Sequence, residues 1–170
     1  ARRFLEQLVA ERPRDPALRK RLARFYRDTH DEAAYLAALK TQIEMRYSEQ
    51  ACRELAGALR LKGDYAAEQA ALQMCRQKGY RRPDDLSRLA DLYAAGGDAA
   101  QAATLLRSID DLRRLNTTRE RFQLLTLLVE LDQPKEAERR CLRWIRSTKD
   151  DGLAIGLIEI LARSKYPDAA

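Results

Sequence analysis

Apolar residues along this chain recur at i, i+3, i+4 and i+7, and tight turns cut the resulting stripes at nearly equal intervals. The turns are His30-Asp31, Gly63-Asp64, Gly97-Asp98, Asp132-Gln133 and Lys165-Tyr166, stepping by 33, 34, 35 and 33 residues. A Leu stands eight positions before each (Leu22, Leu55, Leu89, Leu124, Leu157), and a large apolar residue follows that Leu by four (Tyr26, Leu59, Tyr93, Leu128, Leu161). The spacing predicts helices near 1–11, 16–29, 31–46, 49–62, 65–78, 83–95, 98–113, 117–131, 134–147 and 151–164. Helix, tight turn and second helix at a period of ~34 residues is the pattern of a repeat solenoid, whose helix pairs each bury a thin layer against the next. Such a chain offers surface for holding partners.

The turn residues carry the local reason. A sharp exit from a helix asks for left-handed backbone, which Gly63 and Gly97 adopt without a Cβ penalty. His30 and Asp132 take the same slot, and both belong to the few side chains that tolerate positive φ. Asp31, Asp64 and Asp98 then stand where an N-cap accepts exposed backbone N–H groups. Pro134 fits the first turn of a helix, where no N–H is missed.

Composition sharpens this picture in three places. Aromatics make up only 6% while charged residues reach 34%, which suits a thin-layered stack of Ala and Leu better than a compact globule. Residues 1–85 hold 18 Lys/Arg against 13 Asp/Glu and residues 86–170 hold 14 against 13, so +5 of the net charge of +6 sits in the first half. A basic half favours an acidic partner or a polyanion, the plainer reading being a solvated arginine face. No apolar run approaches the ~18 residues of a membrane span. With no charged-then-apolar leader at the start, a water-soluble chain is expected. Cys52, Cys75 and Cys141 lack CxxC spacing, which argues against a zinc site or a redox pair. The expectation is three buried free thiols; because Cys52 and Cys75 fall on the two helices of one pair, a bridge between them stays open.

This arrangement resembles the tetratricopeptide repeat (TPR) family, whose 34-residue pattern has a large residue at 4, Leu at 7, Gly/Ala at 8, Tyr at 11, Gly at 15, Ala at 20 and a large residue at 24. Leu86, Leu89, Ala90, Tyr93, Gly97, Ala102 and Leu106 fill those positions in one repeat. Leu22, Ala23, Tyr26 and Leu39 follow the pattern before it, as do Leu55, Ala56, Leu59, Gly63 and Leu72; Leu124, Leu128 and Ala137 follow it after. The resemblance implies an all-α, right-handed α-solenoid forming a single domain over 1–170. It would hold a partial repeat 1–14, repeats about 16–48, 49–82, 83–117 and 118–150, and a partial repeat 151–170. Ala1, Leu5, Leu8 and Pro13 match positions 20, 24, 27 and 32, while Leu157, Leu161, Pro167 and Ala170 match 7, 11, 17 and 20, so a piece of a longer array is expected. Tyr35 and Glu68 replace the small residue at position 20, which is expected to loosen the first two repeats.

Chemistry finds little footing, so no catalysis, cofactor or metal is expected. GxSxG, phosphate-loop and HExxH patterns are missing, and the single His30 already has a turn to explain it. The Asp pairs at 84–85, 110–111 and 150–151 mimic paired carboxylates, but adjacent helical residues point in different directions. At 84–85 and 150–151 they stand near helix starts, where acidic residues suit the dipole. Asn116-Thr117-Thr118 reads as a cap and first turn rather than a glycosylation site. Nucleic acid is not expected as a partner, because Phe25, Tyr26 and Trp144 fall at or beside packing positions instead of interleaving with the basic residues.

In the TPR family the first helices line a concave groove through positions 2, 5, 9, 12 and 13. Carried over, the resemblance implies a groove of Lys20, Arg24 and Arg27, then Arg53 and Arg60, then Asp84, Ser87, Asp91 and Ala94, then Arg119, Phe122, Thr126 and Val129. Unpaired arginines stacked at i, i+4 would attract carboxylates through bidentate hydrogen bonds. TPR domains that clamp chaperone C-termini need Asn at position 9; Arg24, Gly57, Asp91 and Thr126 stand there, which excludes that role. The Arg- and Ala-rich stretch from Asp15 to Arg27 is similar to the periplasmic TPR region of Pel exopolysaccharide export proteins. That resemblance implies a periplasmic scaffold ahead of an outer-membrane pore, recruiting the polysaccharide deacetylase/hydrolase PelA as protein partner, with weak polysaccharide contact at most. The alternative is a cytoplasmic adaptor or regulator that binds an acidic peptide or protein.

Overall fold

A computed structural model describes residues 2–112, 114–115 and 117–165. Among them are ten helices and no strands. Two compact units divide the chain, 1–81 and 82–170. The first holds α1 (Arg2–Glu11), α2 (Pro16–Asp28), α3 (Glu32–Met45), α4 (Glu49–Lys62) and α5 (Tyr65–Gln77). The second holds α6 (Pro83–Ala95), α7 (Ala99–Asp111), α8 (Thr118–Glu130), α9 (Pro134–Ser147) and α10 (Asp151–Lys165). The fold is an all-α solenoid type, and each expected helix is present within two residues of its expected limits.

One device closes α2, α4, α6 and α8. His30 (φ 57°), Gly63 (73°), Gly97 (83°) and Asp132 (52°) are all left-handed. The following residue turns its N–H back to the helix: Asp31 to the carbonyl of Tyr26 at 2.9 Å, Asp64 to Leu59 at 3.2 Å, Asp98 to Tyr93 and Gln133 to Leu128 at 2.8 Å. These are Schellman closures, which satisfy carbonyls that would otherwise be stranded. The side chains of Asp31, Asp64 and Asp98 then accept from the N–H of Ala34, Ala67 and Gln101, so one residue ends a helix and starts the next. Gln133 offers no side-chain cap, and Pro134 at the start of α9 has one fewer N–H to satisfy. Thr117 and Glu120 make a reciprocal capping box on α8, in line with the cap reading; Asn116 lies outside the described residues.

In the first unit α1 packs on α2, α2 on α3, α3 on α4 and α4 on α5. Its core is Ala23, Tyr26, Leu39, Ile43, Ala51, Leu55, Ala56, Leu59 and Leu72, with Leu22 only half-buried. Cys52 and Cys75 are fully buried there and joined by a disulfide, with Cα atoms 5.9 Å apart. This corrects the expectation of three free thiols. Two helices packed antiparallel bring the start of α4 opposite the end of α5, and that register sets both Cβ atoms within bridging range. Cys141 is a buried free thiol, and burial raises its pKa.

The second unit is built around Leu89, Ala90, Ala102, Leu105, Leu106, Leu124, Leu128, Ala137, Cys141 and Leu157. A buried polar cluster joins α7 to α9. The Asp110 carboxylate, 4% exposed, accepts from the Arg140 and Arg143 guanidiniums and, at 3.0 Å, from the indole N–H of Trp144. Asp110 and Asp111 both reach Arg140, so this adjacent pair works as a structural clamp. Pro167 and Ala170, expected at positions 17 and 20 of a last repeat, lie outside the described residues. No helix of the described residues is long and apolar enough to cross a membrane.

Candidate interaction site

The basic residues expected in the groove divide by partner. Lys20, Arg24 and Arg27 of α2 line one slot with Tyr35, Leu39 and Gln42 of α3 and Gln50, Ala51 and Glu54 of α4. Successive turns of α2 carry the three cations outward while Ala23 and Tyr26 point into the core. The slot holds about 40 Å³, room for water-sized groups or a carboxylate and too little for a ring. Arg27 bonds the neighbouring Asp28 at 3.3 Å. Lys20 and Arg24 have no hydrogen-bond or ion-pair partner among the described residues.

On the opposite wall the Glu54 carboxylate is hydrogen-bonded from within. Glu54 accepts from the Tyr35 hydroxyl at 2.8 Å and from the Gln50 amide at 2.7 Å, one donor on each oxygen. Burial first, and then this bond to Glu54, push the Tyr35 pKa up to about 12, so the phenol stays a donor. An anionic group entering the slot is therefore drawn to the Lys20–Arg24 wall and repelled from Glu54.

The other expected groove residues are not brought to this slot. Arg53 is exposed and, among the described residues, has no partner. Arg60 is not unpaired as expected: its Nε lies 2.7 Å from Glu68, which is completely buried and needs that cation. Position 20 of this repeat is thus filled by an ion pair in place of a small residue. In the second unit Arg119 pairs with Asp91 at 2.9 Å, and Ser87 donates to Glu120. Asp84 is exposed with Arg82 3.7 Å away. Phe122 packs on α10 so closely that a Cβ at Gly156 would fall 2.7 Å from its ring. Of the residues expected to line the groove in this unit, Ser87, Asp91 and Arg119 are therefore held in internal pairs.

Four lining residues, Tyr35, Gln42, Gln50 and Glu54, were not assigned to the groove from the sequence. Gln50 occupies position 2 of its repeat, so the same positional rule reaches it. Tyr35 and Gln42 come from a second helix, which that rule leaves out; the only signal was the unusual Tyr at position 20.

No family model matches the sequence, and no curated protein is significantly similar to it. Solved structures do share its fold. YrrB, a TPR protein with an unusual peptide-binding site, is 14% identical with a TM-score of 0.56 over 97% of this chain and 93% of its own. MamA is 15% identical with a TM-score of 0.52, covering 96% of this chain and 88% of MamA. A tetratricopeptide repeat protein from Parabacteroides merdae is 13% identical with a TM-score of 0.62, covering 96% of this chain and 60% of that one. At these identities the likeness is one of architecture: the chain has the fold of TPR proteins.

Proposed function

We propose that this chain is a non-catalytic scaffold that holds a protein partner by an acidic residue in the slot of α2, α3 and α4. The observation that carries this reading is the pair Lys20 and Arg24, two unpartnered cations on one wall of a carboxylate-sized slot. Arginine in a preformed slot binds carboxylate strongly because its planar fork loses little freedom on binding. The peptide-binding site named for YrrB, a protein of the same fold, supports the class of partner.

More narrowly, the chain serves as the periplasmic TPR part of a Pel export protein, PelB, which recruits PelA and helps guide polymer to an outer-membrane pore. The Arg-rich stretch in α2 motivates this assignment, and the Cys52–Cys75 bridge supports an oxidising compartment over the cytoplasm. Titration of immobilised protein with purified PelA tests it. Lys20→Glu with Arg24→Glu is expected to weaken binding at least tenfold, and unchanged binding would remove the slot from the mechanism. Thiol trapping in intact cells tests the compartment: one thiol reactive after denaturation is expected, and three would refute a periplasmic address.

A further inference from the structure

Helix α3 presents a second, different surface. Its first eight residues, Glu32-Ala33-Ala34-Tyr35-Leu36-Ala37-Ala38-Leu39, offer almost no polar face. A helix that is apolar all round belongs where neighbours cover it on every side. Here only Leu39 and Ile43 are buried, and Ala33 and Ala37 are exposed. Apolar hollows flank the helix. One, of about 310 Å³, borders Leu22, Tyr26, Ala34 and Ala38. The larger, of about 390 Å³, has walls from α3 and α5 and a floor of Leu55 and Leu59 from α4.

Its walls are Leu36 and Ala37 on one side and Ala67, Ala70 and Met74 on the other. Small side chains let another backbone come close, and Met adapts to irregular apolar contacts. The Cys52–Cys75 bridge ties the floor helix to the α5 wall, so this part of the furrow is fixed before anything binds. The charged side chain on its lining is Lys40, exposed and without a partner among the described residues.

We propose that the furrow between α3 and α5 seats an amphipathic helix of a protein partner, its apolar edge on Leu55, Leu59 and Met74 and a bordering carboxylate on Lys40. A trough between two helices accepts the ridge of a third, and an apolar edge with residues at i, i+3/i+4 and i+7 fills about this volume. Lys40 sets the sign of the border, because an unpaired ammonium beside an apolar surface favours an acidic helix over a basic one. The site is separate from the slot of Lys20 and Arg24 and does not rest on that reading.

The probe is a fluorescein-labelled 18-residue amphipathic helix with one Leu/Ala face bordered by Glu, and a twin with Lys in place of Glu. Anisotropy is expected to show the acidic helix binding at least tenfold tighter than the basic one. Ala70→Arg, at an exposed position on the wall, is expected to weaken it at least tenfold with far-UV circular dichroism unchanged. Lys40→Glu is expected to reverse the preference, and Lys149→Glu, at an exposed position of the second unit, to change nothing. No binding of the acidic helix, equal binding of the twins, or indifference to Ala70→Arg would overturn the proposal. So would full displacement by dodecanoate, which would make the site one for acyl chains. A dimer in light scattering that Ala70→Arg abolishes would assign the furrow to a second copy instead.

Discussion

Asp110→Ala tests how the second unit is held together. The substitution removes the acceptor of three donors, which differ in what they lose. Arg143 is half exposed and regains water, so it contributes little. Arg140 keeps Glu136 at 2.9 Å and Asp111 at 3.0 Å, so its buried charge is not stranded. Its charge-assisted bond to Asp110 is still lost, at ~1.5–3 kcal/mol. The Trp144 N–H, on a side chain 3% exposed, is left unsatisfied. That adds ~1–3 kcal/mol of desolvation without return. Together these two losses cost about 3–5 kcal/mol, the middle of their summed range.

Urea unfolding followed by tryptophan fluorescence measures it cleanly, because Trp144 is the sole tryptophan and reports on its own unit. With a slope of ~1.5 kcal/mol/M the midpoint is expected to fall by ~2–3 M. Asp110→Asn keeps a carbonyl for the indole and loses only the charge, so about half of the effect should remain. A cost below ~1 kcal/mol for Asp110→Ala, or Asn as damaging as Ala, would refute the assignment of the indole bond and the ion pair as separate contributions.

Three further predictions follow from packing and pairing. Cys52→Ser is expected to cost ~3 kcal/mol, since the bridge closes a loop between residues 23 apart; without reductant the denatured wild type should show a single free thiol, Cys141, and three would refute the bridge. Gly156→Ala is expected to destabilise by ~1 kcal/mol, overpacking against Phe122 outweighing the gain in helix propensity; adding Phe122→Leu should recover it, and additive costs in the double-mutant cycle would refute the contact. Ultraviolet titration should show one of the seven tyrosines ionising near pH 12, absent in Tyr35→Phe. The folded state holds that proton more tightly than the unfolded one. The stability linked to that proton, set by burial first and then by the bond to Glu54, is therefore complete below the ordinary tyrosine value of 10 and lost as pH rises towards 12.

What the chain alone determined was everything set by neighbours within about one helical turn. The left-handed slots of His30, Gly63, Gly97 and Asp132, the Asp caps and Pro134 all follow from sterics and backbone hydrogen bonds between residues at most five apart. The ten helices follow from those punctuation points together with 3.6-residue periodicity, repeated often enough that each repeat checks the next.

The tertiary structure alone decided which charged residues stay available. Arg119 meets Asp91 across 28 residues, Ser87 meets Glu120 across 33, and Trp144 meets Asp110 across 34. These separations are near one repeat, so stacking brings such residues together, but which side chains meet depends on helix rotation and rotamer. A positional rule therefore treated Arg24, Arg60 and Arg119 alike, although Arg60 is held by a buried Glu68 and Arg119 by Asp91. The same applies to the Cys52–Cys75 bridge and to Phe122 on Gly156. Local sterics fix where a helix begins and ends, but a charge becomes a site or a strut according to what the next helix sets against it.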